Sequence, residues 1–149
     1  MICIGSDQAG FPMKEMLRTY LAKKGFEVSD KGTFDTQPVD YPDYAARVAD
    51  EVASGKAEFG IVVCGTGIGI SMAANKIHGI RAALCTNTTM ARLAREHNDA
   101  NVLTMGARII GDELARDIAD AFLSAAFDGD RHTARVEKIM ALENRPSGE

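Results

Sequence analysis

Short apolar runs alternate with amphipathic stretches along the whole 149-residue chain, and this alternation constrains the fold more than any other feature. Five runs are interpreted as strands, and their near-continuous apolar character is typical of strands buried on both faces: residues 2–5, 26–29, 59–63, 80–84 and 102–105. Because helical patterns separate them, the strands are expected to be parallel, with right-handed crossovers. The sequence predicts a single α/β domain with a doubly wound, Rossmann-like, three-layer fold and a five-stranded parallel sheet.

Capping residues mark the predicted helices. Gly25 and Gly55 are placed to end the first two, and Pro42 suits the first turn of the second. Asn87 or Thr86 is expected to cap a helix that reaches about residue 97. The remaining predictions are a helix over 112–127 capped by Asp112, a C-terminal helix over 131–144 capped by Asp130, and a frayed tail over 145–149.

Charge and composition exclude several classes of partner. The net charge is -4 and the isoelectric point is about 5.4, which argues against binding nucleic acid by bulk charge. There is no apolar run of 18 residues and no signal-peptide pattern, so we expect no membrane partner. Three cysteines are too few for a disulfide framework, which favours a reducing, cytoplasmic location.

The segment Cys64-Gly65-Thr66-Gly67-Ile68-Gly69 carries the most chemical information. It follows a buried strand and begins a helix, so its amides are expected to face a ligand at the carboxyl edge of the sheet. The glycines fit an anion such as phosphate, or they serve only a tight turn. The segment has neither the ending of a Walker A loop nor the glycine spacing of a dinucleotide fingerprint.

Cys64 ends the predicted third strand beside these amides, where a thiol can act as a base or nucleophile. Cys3 and Cys85 are expected to be inert core residues. A cysteine phosphatase would require arginine six residues after the cysteine, and Ile70 stands there. Proton transfer is therefore the better interpretation for Cys64.

Four further residues suggest either chemistry or ordinary helix ends. His97 and Asn98 close the fourth helix, where both residue types also serve as C-caps. Arg131 and Arg135 share one helix face, either as a phosphate site or as part of a salt-bridge network. His78 and His132 are interpreted as surface residues, and no His, Cys or Asp cluster has metal-ligand spacing.

Taken together, the chain resembles the family of type B ribose-5-phosphate isomerases and galactose-6-phosphate isomerases. The resemblance implies the same five-stranded fold, aldose–ketose isomerisation without a metal or other cofactor, and dimers or tetramers with active sites shared between subunits. The matching segments lie in order at residues 5–7, 30–33, 40–42, 64–69, 73–76, 79–81, 97–98, 101–102, 106–108 and 131–135.

The resemblance also implies individual roles. Cys64 would move a proton between C1 and C2 of the sugar through a cis-enediolate. His97, helped by Asp7, would open the furanose ring. The other implied site residues are Thr66 and the amides of Gly65, Gly67, Ile68 and Gly69 around the oxyanion, Tyr41 and Asn98 on the sugar, and Arg108, Arg131 and Arg135 on the phosphate.

One position departs from the family pattern. Gln8 stands where the family usually has histidine after Asp7, and an amide cannot titrate. We expect a substrate-binding role for Gln8 and a reaction between ribose 5-phosphate and ribulose 5-phosphate. The alternatives are an isomerase of another tetrose, pentose or hexose phosphate, and a non-catalytic subunit that binds sugar phosphate.

Overall fold

The computed structural model describes residues 1–148, which contain one parallel sheet of five strands. The order across the sheet is β2-β1-β3-β5-β4. The chain thus adds β2 on one side of β1 and the remaining strands on the other. The strands are β1 (Ile2–Ser6), β2 (Val28–Asp30), β3 (Phe59–Cys64), β4 (Ala82–Leu84) and β5 (Val102–Gly106).

Helices cover both faces of this sheet, which confirms the predicted doubly wound, three-layer architecture. The helices are α1 (Phe11–Lys23), α2 (Tyr41–Ala53), α3 (Ile68–Ala74), α4 (Thr88–Asn98), α5 (Asp112–Ser124) and the C-terminal α6 (Arg131–Ala141). The first, fourth and fifth helices pack on one face, and α2 and α3 pack on the other. The last helix packs against α4.

The two faces of the sheet are packed differently. Large side chains such as Leu17 and Phe122 fill the layer under α1 and α5. The layer under α2 is thinner, and glycines at 5 and 60 face Val48 there. A Cβ at Gly60 would stand 2.7 Å from the Val48 side chain, so glycine lets α2 lie close to the strands.

Several predicted boundaries move, each for a local reason. Asn87 is confirmed as the cap of α4, because its side chain accepts a hydrogen bond of 2.8 Å from the Met90 amide. The prediction for Asp112 is wrong, since Gly111 occupies the N-cap and Asp112 is already helical. The α5 helix ends at Ser124, because Ala125 is extended. Asp130 precedes α6 but its side chain does not cap it.

The strand boundaries are shifted as well. The second strand begins at Val28, two residues later than expected, and the fourth strand is shortened to three residues. The last helix ends at Ala141 and continues as a 3-10 turn over Leu142–Asn144. Residues 145–148 are exposed and form neither helix nor strand, and Glu149 of the predicted tail lies outside the described residues.

The Asn75 side chain covers the open edge of the sheet at β4. Its amide donates to the Ala82 carbonyl at 3.0 Å, and its oxygen accepts from the Ala82 amide at 2.8 Å. These are the two backbone groups of Ala82 that do not pair with β5, so the side chain satisfies both. Within residues 1–148 no helix has the length and apolar character needed to cross a bilayer.

Candidate active site

The crevice between the carboxyl ends of β1 and β3 is the natural ligand site of this sheet. The chain reverses its direction of sheet growth between these two strands, and such a switch point leaves an open crevice. Asp7 and Gln8 follow β1, and the segment Cys64–Gly69 follows β3. The structure therefore brings together the two segments that the sequence placed at this edge.

Cys64 ends β3 with its side chain 5% exposed and a single polar contact from the loop that follows. The Gly67 amide donates a hydrogen bond of 3.2 Å to the Cys64 Sγ. Gly67 has a positive φ of 80°, which glycine adopts without strain and which turns this amide back toward the sulfur. This hydrogen bond fixes the sulfur at the mouth of the loop.

Thr66 stands exposed at the tip of the same loop. Its Oγ1 accepts a hydrogen bond of 3.2 Å from the Ile68 amide, at the start of α3. Below the loop, Thr104 of β5 donates its hydroxyl proton to the Gly67 carbonyl at 3.1 Å. The loop is therefore held from both sides, with the thiol, one hydroxyl and a helix N-terminus facing the same crevice.

Arg108 belongs to this crevice as well. The segment after β5 is bonded to the cysteine loop, since the Ala107 amide donates to the Cys64 carbonyl and the Arg108 amide to the Gly65 carbonyl, both at 2.9 Å. A Cβ at Gly65 would stand 3.2 Å from an Arg108 guanidinium nitrogen. The exposed Arg108 cation thus lies directly over the loop and can reach an anion held there.

Asp7, Gln8 and Tyr41 complete this first cluster. The Asp7 Oδ1 accepts a hydrogen bond of 3.0 Å from the Gly10 amide, just before α1. The Gln8 Oε1 accepts one of 3.0 Å from the Val39 amide, which fixes the segment that leads to Tyr41. The Tyr41 ring lies against Gly69, where a Cβ would stand 2.7 Å from its hydroxyl oxygen.

The other two cysteines lie away from such donors. Burial raises the pKa of Cys3 to about 12 and the pKa of Cys85 to about 11. Both side chains are fully enclosed in the apolar layers, so both remain thiols across the physiological range. The expectation that Cys3 and Cys85 are core residues is confirmed.

A second cluster contains His97, Asn98, Arg131 and Arg135. His97 and Asn98 end α4, and the two arginines project from the first turns of α6. Neither arginine makes an ion pair with any residue in the described range 1–148. Asn98 lines a cleft of 540 Å³ between β4 and the last helix.

His132 joins the second cluster, and its assignment as a surface residue is wrong. Its side chain is 9% exposed, and its ring stacks on that of His97, with centroids 4.3 Å apart and planes 11° from parallel. His132 and Val136 are the two buried residues of α6, spaced i, i+4. That spacing on an amphipathic helix was the sequence signal for burial.

The two clusters lie at opposite ends of the strands of the sheet. The α4 helix starts beyond the carboxyl end of β4 and runs back for eleven residues, or about 16 Å, so His97 lies beside the amino ends of the strands. Asn101, four residues after His97, donates its backbone amide to the Arg81 carbonyl just before β4. Within one chain, His97 and Asn98 therefore do not reach the crevice of Cys64.

The second cluster also contains a group that the sequence did not reveal. One ligand atom each from His97, Asp128 and His132 lie within 4.8 Å of one another. A metal lies in the plane of each imidazole that binds it, and two stacked, nearly parallel rings do not share such a point without rotating. As they stand, the two stacked rings therefore do not face a common metal position.

Comparison with known proteins settles the family. Residues 2–139 match the model of the Ribose/Galactose Isomerase family. The chain belongs to this family. The resemblance inferred from the sequence is thereby confirmed, together with the isomerase class of enzyme.

Individual relatives are similar over almost their whole length. The chain is 50% identical to ribose-5-phosphate isomerase B of Escherichia coli strain K12 over 144 residues, 97% of each chain. It is 44% identical to the D-erythrulose-4-phosphate isomerase of Pectobacterium atrosepticum over 146 residues, 97% of this chain and 95% of that one. The Clostridium thermocellum ribose-5-phosphate isomerase B structure has a TM-score of 0.95 at 54% identity, covering 96% of this chain and 97% of that one.

Proposed function

We propose that this isomerase interconverts ribose 5-phosphate and ribulose 5-phosphate. The observation that carries the proposal is the Cys64 sulfur beneath the Gly67 amide, in the crevice between β1 and β3 of a member of this family. Relatives at 50% and 54% identity bear the name ribose-5-phosphate isomerase B. A thiol with a hydrogen-bond donor on its sulfur is suited to take and return a proton.

The proposed chemistry is a proton transfer between neighbouring carbons. The Cys64 thiolate removes the proton from C2 of the open-chain aldose, which leaves a cis-enediolate. The thiol then returns the proton to C1, while the O2 proton leaves and O1 gains one, so the product is the ketose. The Thr66 hydroxyl and the amides of Gly65 and Gly69 are the donors for the enediolate oxygens, whereas the amides of Gly67 and Ile68 hold the loop by bonding Cys64 Sγ and Thr66 Oγ1.

The same residues account for a reaction without a metal or other cofactor. The steps require a base, donors for the oxyanion and an anchor for the phosphate. Cys64, the loop donors and the arginines supply these three elements. We therefore expect ketose formation to be unchanged when a chelator is present.

The second cluster supplies ring opening and phosphate binding in this proposal. His97, helped by Asp7, opens the furanose ring, and Asn98 and Tyr41 contact the sugar. Arg131 and Arg135 are unpaired cations within residues 1–148, and together with Arg108 they bind the phosphate. Because the two clusters lie at opposite ends of the strands, each complete site takes its second cluster from another copy of the chain, in a homodimer or a tetramer.

A substrate panel tests the proposal. Ribose 5-phosphate, a tetrose phosphate and a hexose phosphate are each incubated with the enzyme and a chelator, and ketose formation is measured. We expect the highest kcat/KM with ribose 5-phosphate. No turnover of any phosphorylated aldose would instead favour a non-catalytic, sugar-phosphate-binding subunit.

The base is tested by Cys64→Ala, with Cys85→Ala as the matched control. Loss of a general base lowers kcat by roughly 10²–10⁴-fold, whereas binding of the sugar phosphate persists. The control thiol is buried in the apolar layer and is expected to leave kcat within a small factor of the parent. Near-parental kcat in Cys64→Ala would contradict the proposed role of Cys64.

A second substrate has one specific observation in its favour. The Pectobacterium atrosepticum relative is named a D-erythrulose-4-phosphate isomerase. Gln8 stands where the family pattern has a titratable histidine, and a four-carbon aldose phosphate has no ring to open. A kcat/KM higher for the tetrose than for ribose 5-phosphate would select this alternative.

A further inference from the structure

The rings of His97 and His132 stack on each other, and the proposed chemistry uses only His97 of this pair. Their centroids are 4.3 Å apart and their planes nearly parallel, and His132 is almost fully buried. The pair joins the end of α4 to the start of α6. His97 is the residue proposed to open the sugar ring, so whatever fixes its imidazole affects that step.

The backbone holds the two rings together from both sides. The Asp128 amide donates to the Glu96 carbonyl at 2.9 Å, next to His97. The His132 amide donates to the Gly129 carbonyl at 2.9 Å, and this bond closes the turn into α6. These bonds keep the end of α4 next to the start of α6, and the buried His132 ring occupies one side of the space available to His97.

The charges around the stack limit how many protons it binds. Burial lowers the pKa of His132, and the neighbouring His97, Arg131 and Arg135 lower it further, whereas Asp128 acts in the opposite direction. On α4 the nearby carboxylates are already paired, Glu96 with Arg92 and Asp99 with Arg95. Asp130, just before α6, is another charged residue in the turn that leads into this helix. His132 therefore gains its proton at a lower pH than a free histidine, and its charge would then repel a positive charge on His97.

We propose that His132 is a positioning residue which, by stacking on His97, fixes that imidazole for ring opening. The inference rests on the proposed function of His97. It adds a role for a residue that belongs neither to the thiol loop nor to the phosphate arginines. Loss of His132 should therefore lower turnover of a cyclic substrate and not of an open-chain one, because only the cyclic substrate depends on ring opening.

The experiment compares a cyclic with an open-chain substrate in two variants. His132→Ala removes the stack, and His132→Phe retains a flat ring without a proton. We expect His132→Ala to lower kcat/KM for ribose 5-phosphate by roughly tenfold or more and to leave the value for erythrose 4-phosphate within about twofold, as for loss of one acid–base contribution. His132→Phe should recover most of the lost activity near neutral pH.

The pH profile separates positioning from a merely structural role. In the parent, we expect kcat/KM for ribose 5-phosphate to fall at acidic pH as His132 gains a proton beside His97. In His132→Phe that proton has no site, so the acidic limb should be less steep by one proton. His78→Phe, at an exposed position, should retain the parental profile.

Two results would overturn the inference. Equal losses for both sugars in His132→Ala would show that the residue only supports the fold or the phosphate arginines. An unchanged acidic limb in His132→Phe would show that protonation of His132 does not affect the step carried out by His97. Failure of the proposed function is recognised separately, because the parent itself would then not turn over ribose 5-phosphate.

Discussion

At the scale of single residues, the two arginines of α6 have surroundings that favour a ligand. Arg131 lies in the first turn, where the helix dipole disfavours a cation, and Arg135 lies one turn later on the same face. Both are exposed and without ion pairs inside residues 1–148. Such a pair contributes little to folding and can bind a phosphate by forked hydrogen bonds.

Removing either arginine should therefore weaken binding without affecting the fold. A hydrogen bond to a charged group contributes roughly 1.5–3 kcal/mol, so Arg131→Ala and Arg135→Ala should each raise KM by about one to two decades. Lys138→Ala, on the same helix, is the control. If inorganic phosphate inhibits the variants and the parent equally, these arginines do not hold the phosphate.

Gln8 is the residue where the sequence and the family pattern disagree. Its side-chain oxygen is already engaged with the Val39 amide, so its role includes holding the segment before Tyr41. We expect Gln8→His to leave kcat/KM for ribose 5-phosphate and for erythrose 4-phosphate nearly unchanged, because an imidazole nitrogen can accept the same bond. A gain confined to the cyclic sugar would instead assign position 8 to ring opening.

At the scale of elements, a buried lysine connects α1 to the segment after β2. The Lys14 Nζ is fully enclosed and donates to both oxygens of Asp30 at 2.8 Å and to the Thr33 carbonyl at 2.6 Å. The rings of Phe11 and Phe34 flank it at 5.2 and 5.1 Å. This contact fixes the segment that continues to Val39 and Tyr41, on one wall of the crevice.

Breaking that pair should be costly. Lys14→Met leaves Asp30 and the Thr33 carbonyl without their partner, and removal of one member of a buried pair costs roughly 3–5 kcal/mol of unfolding free energy. Urea denaturation of the variant measures this loss, with Lys24→Met as the control because Lys24 pairs with Asp120 at the surface. A variant as stable as the parent would show that the enclosed pair contributes nothing net.

The sequence predicted elements better than their ends. Near-continuous apolar runs identified all five strands, because a strand buried on both faces must be apolar throughout. The ends depend on contacts that have no sequence period. The backbone of Ala125 is extended, and this ends α5. The β4 strand lies at the edge of the sheet and is only three residues long. A local pattern contains neither piece of information.

The positions of the site residues could be predicted about as well as the secondary-structure elements. Strand ends placed Asp7, Cys64 and Arg108 at one edge, and the structure confirms that topology. The burial of His132 was missed because it depends on how α6 packs against α4, a contact between segments far apart in the chain. The order β2-β1-β3-β5-β4 likewise follows from packing of the whole sheet and not from any single segment.

At the scale of the whole molecule, the separation of the two clusters makes a prediction about mixtures. Cys64→Ala and His97→Asn should each be inactive alone toward ribose 5-phosphate. When the two are unfolded together and refolded, a hybrid pair contains one site with both residues intact. Random pairing then restores about one quarter of the parental activity.

Separately refolded variants, mixed only afterwards under conditions without exchange, provide the control. Light scattering should report at least a dimer in every sample. A mixture that recovers no activity, or a fully active monomer, would contradict a site shared between subunits.

The contact of Asn75 with Ala82 has a consequence for behaviour at high concentration. An unpaired strand edge is a template on which other chains can add strands and so begin an aggregate. Here a single carboxamide occupies the outward amide and carbonyl of Ala82, at the first residue of β4, where a sixth strand would have to pair. The far edge is a three-residue strand whose Asp30 is held by Lys14. Neither border of the sheet offers a long free ladder, so crowded chains meet through side chains and not through shared β-structure.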